Sequence, residues 1–240
     1  MEKVEFENLI ELTYAKKEAF NSIRTNLSFC GSDIKTILIT SCSPDEGKTS
    51  TAMGLARTLA NDNKRVVLID CDLRKSSMIG QYHAVNQKKE IKGLSHYLSG
   101  QAMMQDVLYE TNQENLSIIF AGRSTPNPTQ LLGTDLFHSL LDWAREHFDM
   151  VIIDTPPLGT VIDAAIIAPR CDGAILLVES NKNSYKFLQT VKKQLEVTGV
   201  KILGVILNKM QTDKNGYYNR YYKHYYKKYY GNYNDTSSKQ

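Results

Sequence analysis

The stretch from Lys35 to Ser50, KTILITSCSPDEGKTS, runs from an apolar, β-branched segment straight into a Gly-Lys-Thr turn and then into a helix-forming segment. That order specifies a strand whose carboxyl end opens through a loop into a helix. Short apolar runs recur at 65–72 (RVVLIDCD), 116–122 (LSIIFAG), 148–155 (FDMVIIDT), 173–179 (GAILLVE) and 200–208 (VKILGVILN). Longer amphipathic stretches at 16–29, 48–62, 130–147, 161–168 and 183–197 separate them. The alternation predicts an α/β fold with a mostly parallel sheet and helices on both faces. At 240 residues the chain has room for one such domain and a tail.

In open α/β sheets ligands sit outside the carboxyl ends of the strands, and three strand ends here carry chemistry. The first, SPDEGKTS, has the context of a P-loop, a loop whose N–H groups face phosphates at a positive helix end. Gly47 permits close backbone approach, Lys48 can reach the β- and γ-phosphates, and the Thr49 hydroxyl is placed for Mg²⁺. One position departs from the usual pattern, since its first glycine falls on Cys42. Asp154, ending VIID, supplies the carboxylate that a P-loop metal site needs on a neighbouring strand. Asp70 and Asp72 end a third strand, two residues apart, so an extended backbone would aim both to one side. A tyrosine hydroxyl, with a pKa near 10, is a poor nucleophile at neutral pH unless a base favours its deprotonation. Asp70 can accept that proton while Asp72 and Asp154 position a metal; the spacing leaves open which of Asp70 and Asp72 is the base.

The carboxyl-terminal segment poses a separate question. Nine tyrosines, Tyr217, Tyr218, Tyr221, Tyr222, Tyr225, Tyr226, Tyr229, Tyr230 and Tyr233, stand there without one Leu, Ile, Val, Phe or Met among them. From Lys214 onward six Lys or Arg face one Asp, a net of +5, which leaves −2 for residues 1–213 out of a total of +3. The expectation is a folded domain over 1–213 and a solvated, mobile basic tail over 214–240. A mildly acidic body argues against a nucleic-acid surface on the domain. Cys30, Cys42, Cys71 and Cys171 lack ligand spacing, which fits a reducing cytosol, and the five histidines lack it too. No apolar run reaches the roughly 18 residues that cross a bilayer.

These elements together resemble the bacterial tyrosine kinases of capsular and exopolysaccharide biosynthesis. SPDEGKTS matches their Walker A loop, VVLIDCDLRK their Walker A′ strand, FDMVIIDTPP their Walker B strand, and AGRSTPNPTQLL and the tyrosine cluster complete the set. The resemblance implies a P-loop NTPase fold and a Mg²⁺- and ATP-dependent kinase. Lys48, Asp70 and Asp72 are then catalytic. Ser43, Asp45, Glu46, Gly47, Lys48, Thr49, Ser50 and Asn208 bind nucleotide, and Thr49, Asp72 and Asp154 hold the metal. It further implies phosphorylation of the nine tail tyrosines between subunits of a ring. The partners expected are a membrane adaptor that regulates polysaccharide chain length and an opposing tyrosine phosphatase, with no nucleic acid. The chain looks like the split arrangement, cytoplasmic and brought to the membrane by the adaptor. The family's amino-terminal helix carries Glu-x-x-Arg-x-x-Arg in the ring contact; Glu18 and Arg24 match and Asn21 replaces the first arginine. A second reading is a partitioning-type switch ATPase whose basic, aromatic tail binds acidic lipid or single-stranded nucleic acid.

Overall fold

A computed structural model describes residues 2–9, 11–86 and 90–210 of the chain. The tail tyrosines Tyr217 to Tyr233, and the expectation of a mobile 214–240 segment, lie outside the described residues. The strands are β1 (Glu2–Phe6), β2 (Thr36–Ser41), β3 (Val66–Asp70), β4 (Ala84–Val85), β5 (Leu108–Thr111), β6 (Leu116–Ile119), β7 (Met150–Asp154), β8 (Gly173–Glu179) and β9 (Ile202–Asn208). The α-helices are α1 (Tyr14–Ser28), α2 (Lys48–Ala60), α3 (Met78–Tyr82), α4 (Leu94–Leu98), α5 (Pro128–Leu132), α6 (Asp135–His147), α7 (Asp163–Ile167) and α8 (Tyr185–Val197).

One sheet runs in the order β4-β1-β5-β6-β3-β7-β2-β8-β9. Its six strands from β6 to β9 are parallel, and antiparallel pairing is confined to β1·β4 and β5·β6. The central strands β2, β3 and β7 are buried along their whole length, as strands covered on both faces must be. Alternate residues serve two separate cores. Leu38, Val67, Ile69, Val151 and Ile153 join Phe137, Leu140 and Leu141 of α6 and Val191 and Leu195 of α8. Ile37, Ile39, Val66, Leu68 and Ile152 join Met53, Leu55 and Leu59 of α2, with Phe20 and Leu27 of α1 packed on that side. The period of two along each strand thus sorts its apolar residues into a three-layer α/β/α sandwich.

Several details depart from the sequence reading. The helix expected over 130–147 is two helices, because the Gly133 N–H turns back to the Thr129 and Gln130 carbonyls and Thr134 restarts the chain. The Thr134 hydroxyl accepts from Phe137 N at 3.3 Å and caps α6. The strand expected over 116–122 stops at Ile119, and that over 65–72 stops at Asp70. The structure adds β1, β4, β5, α3 and α4. β1 lies in the sheet against β5, with Val4 and Phe6 buried.

Asp172, just before β8, fixes the end of the sheet remote from the strand tips. Its Oδ2 accepts from Lys35 N at 3.0 Å, from Thr36 N at 2.8 Å and from the Arg145 guanidinium. Burial alone would raise this carboxyl. Arg145 and the Thr36 and Lys35 amides outweigh burial and hold it below its ordinary value. A carboxyl depressed in the folded state contributes stability above its unfolded pKa of about 3.9, and that contribution is lost as pH falls through the lower folded value. Asp172→Asn is therefore expected to cost about 1–3 kcal/mol near neutral pH and to flatten the acid limb of stability below about pH 4. Thermal melts of both proteins across pH 2–7 measure this; parallel acid limbs would contradict it.

Candidate active site

The loop between β2 and α2 is shaped from within by Glu46. This side chain is 0% exposed. Its Oε2 accepts from Cys42 N at 2.9 Å and Ser43 N at 3.1 Å, and its Oε1 accepts from Asn183 Nδ2 and, at 3.4 Å, from Glu179 N. The sequence reading groups Glu46 with the nucleotide contacts; its carboxylate instead faces inward and staples the loop to the end of β8. Backbone geometry follows from that staple. Asp45 turns through φ 60° and Gly47 through φ 92°, and α2 begins at Lys48. A side chain at Gly47 would also strike Asn208, because a Cβ there would lie 2.4 Å from Asn208 Nδ2. Asn208 Nδ2 donates to the Glu46 carbonyl at 2.8 Å, so the tip of β9 closes the loop from the side. Ser43 is tied to Asn183 through its hydroxyl at 2.8 Å, and the Ser50 hydroxyl accepts from Gln81 Nε2 at 2.8 Å.

Register brings the other residues to the loop. β3 and β7 pair so that Asp70 lies level with Asp154, and β7 borders β2. Asp70 is 1% and Asp154 2% exposed. The Thr49 hydroxyl and the Lys48 charge lie close enough to Asp154 to stabilise its ionised form. Burial raises both carboxyls, and the negative charge of Asp154 pushes Asp70 up further. Burial likewise lowers Lys48, against the pull of Asp154, Asp72, Glu46 and Asp45. Asp154 Oδ1 is buried and, among the described residues, has no hydrogen-bond partner. An orphaned anionic oxygen beside a threonine hydroxyl is a fit for a hard cation.

Asp70 and Asp72 do not share a strand face, because β3 ends at Asp70. The Asp72 N–H donates back to Asp70 Oδ1 at 3.0 Å, and Asp72 Oδ1 accepts from Arg74 N at 3.2 Å and Lys75 N at 2.9 Å. Asp72 therefore sits in a turn, half-buried, while Asp70 is held beneath it. The second oxygen of Asp70 accepts a short hydrogen bond from the Ser76 hydroxyl.

Four features were invisible in the sequence. Arg74 forms a two-pronged pair with fully buried Asp163, at 2.6 and 2.9 Å, and Thr129 bonds to both partners. This fastens the turn after β3 to α5 and α7, and gives the NPTQLL segment its structural role. A Cβ on Gly159 would lie 2.1 Å from the Cys42 carbonyl, so the segment after β7 can seat on the loop only without a side chain there. Away from these elements, on α1, Asn21 donates to Glu18 at 3.3 Å and thereby keeps a helix-face contact that an arginine would supply. Arg24, expected in a contact between subunits, is paired with Asp62 of its own chain at 2.7 Å.

Comparison with known proteins agrees with this geometry. A family model described as an AAA domain matches residues 34–201. Tyrosine-protein kinase CpsD of Streptococcus agalactiae is 43% identical over 202 residues, covering 83% of this chain and 87% of the relative. Tyrosine-protein kinase CpsD of Streptococcus pneumoniae serotype 4 is 40% identical over 209 residues, covering 86% and 91%. The solved kinase domain of Escherichia coli tyrosine kinase ETK superposes with a TM-score of 0.76 at 32% identity, over 84% of this chain and 78% of that one. A likeness of this extent, in a chain whose mostly parallel sheet sets Asp70 and Asp154 at adjoining strand tips near Lys48 at the start of α2, means that the chain belongs to the bacterial tyrosine-protein kinases built on the AAA-domain fold.

Proposed function

We propose that the protein transfers the γ-phosphoryl group of ATP to tyrosine hydroxyls, its own tail tyrosines included, in the service of capsular or exopolysaccharide synthesis. The observation that carries this reading is the level pairing of Asp70 and Asp154 beside Lys48 and Thr49, with Asp154 Oδ1 buried and lacking a partner among the described residues. Phosphoryl transfer asks a protein chiefly for positioning and charge neutralisation. The loop N–H groups and Lys48 hold the phosphates, and Asn208 borders the loop where a nucleotide base would approach. Asp70, raised by burial, accepts the proton of the attacking hydroxyl; Asp72, committed to its turn, stands nearer solvent. Thr49, Asp72 and Asp154 would hold Mg²⁺, which when bound neutralises charge on the transferred phosphoryl group.

The regulatory part of the reading rests on charge and on the family. Each phosphate adds roughly −1.5 to −2 at pH 7, so modification of nine tyrosines would carry a +5 tail to about −9 to −13. A tail so altered is repelled from the acidic body and from neighbouring tails, which loosens an oligomer. No helix among the described residues is long and apolar enough to cross a membrane. Placement at the inner face of the cell membrane would come from an adaptor of the chain-length-regulator type, with a tyrosine phosphatase resetting the tail.

Lys48→Met is expected to lower tyrosine phosphorylation by on the order of 10²–10³ in protein that remains folded, because an electrostatic contact to the transferred group is lost. Anti-phosphotyrosine detection on the folded variant checks it. Asp70→Asn is expected to lower the transfer rate by about 10²–10⁴ while nucleotide affinity changes little, since a base acts on the nucleophile. An equal fall in affinity, read by titration calorimetry, would make Asp70 a metal residue instead. Mixing the full-length Lys48→Met chain with active chain lacking residues 214–240 tests transfer between subunits: phosphosite mapping should find phosphate on the Lys48→Met tails.

A further inference from the structure

The Ser76 hydroxyl lies on the oxygen of Asp70 that the transfer reaction would use. Ser76 donates to Asp70 Oδ2, and the Asp72 N–H donates to Asp70 Oδ1 at 3.0 Å. Ser76 is itself fixed from behind, since its oxygen accepts from Met78 N at 3.3 Å at the start of α3. That helix is moored twice, by Met78 and Tyr82 in the core and by Gln81, whose amide donates to the Ser50 hydroxyl on α2 at 2.8 Å. Ser76 is solvent-exposed whereas Asp70 is 1% exposed, so this hydroxyl stands between the carboxylate and water.

We propose that Ser76 is a positioning residue that keeps water off Asp70 and so favours transfer to tyrosine over hydrolysis of ATP. The inference rests on the kinase reading above. Both reactions break the bond between the γ-phosphorus and the bridging oxygen, release ADP, form a new phosphorus–oxygen bond and need an acceptor for the hydroxyl proton. They differ only in whether that hydroxyl belongs to tyrosine or to water. A phenol, with a pKa near 10, is a much stronger hydrogen-bond donor than water, with a pKa near 15.7, and is better able to displace the serine hydroxyl from the carboxylate. Water, the weaker donor, is left outside. The serine thus discriminates by occupying the place both acceptors need.

The test uses the full chain with Mg-ATP and counts two products in parallel, inorganic phosphate and phosphotyrosine. Ser76→Ala is expected to raise the ratio of phosphate to phosphotyrosine about threefold to tenfold, the range spanned by one ordinary hydrogen bond. Ser76→Thr, which keeps the hydroxyl, should bring the ratio back toward that of the unaltered chain. A ratio that is unchanged or lower in Ser76→Ala, with an unchanged melting temperature, overturns the proposal while the kinase reading stands. A shared rise in Ser76→Ala and Ser76→Thr overturns it too, because the effect would then belong to the loop and not to the hydroxyl. If the unaltered chain forms phosphate but no phosphotyrosine, the kinase reading falls and this inference falls with it.

Discussion

Pairing of β3 with β7 sets Asp70 level with Asp154 beneath helices that exclude water from both faces, and the chemistry of the site follows from that one register. An ionised carboxylate loses much of its hydration when buried, and two of them side by side repel. The fold offsets this locally: Thr49 and Lys48 stabilise Asp154, while Ser76 and the Asp72 amide stabilise Asp70. The compensation leaves Asp154 Oδ1, among the described residues, without a hydrogen-bond partner. A one-residue slip of β3 would move each of its side chains to the opposite face of the sheet and carry Asp70 out of level with Asp154, and the apolar alternation that sorts the two cores opposes it.

The phosphate loop illustrates a different economy. Where a glycine is usual the chain has Cys42, buried, and the loop takes its shape from a buried glutamate instead. Glu46 satisfies the Cys42 and Ser43 amides itself and bridges to Asn183 and Glu179, so the first half of the loop is rigid before any phosphate arrives. The second half, from Gly47 into α2, keeps its N–H groups at the positive end of a 13-residue helix. Rigidity on one side and open donors on the other suit a site that must bind and release nucleotide repeatedly.

The sequence made the central strands legible because β-branched apolar runs ending in Asp or Gly-Lys-Thr have few other uses. It misplaced what depends on hydrogen bonds closing over a few residues. Asp72 reads as a strand residue until its amide is seen turning back on Asp70, and 130–147 reads as one helix until Gly133 ends the first. It was silent where partners are far apart along the chain. Arg74 and Asp163 are 89 positions apart, and nothing in DAAII marks its aspartate as more than a helix start. β1, β4 and β5 lie at the antiparallel end of the sheet, where strands are short and their apolar pattern is diluted by Glu and Lys.

Asn208 carries a consequence for how the chain comes into being. Its amide closes the phosphate loop at Glu46 across 162 positions, and it stands where any side chain on residue 47 would be. Strands β2, β3 and β7 can pair as soon as β7 has emerged from the ribosome, but the loop at their tips is still open on one flank. At a synthesis rate of about 5–20 residues per second, Asn208 arrives roughly 8–32 s after the loop it completes. A nascent chain therefore holds β2, β3 and β7 before it holds the residue whose amide closes the phosphate loop.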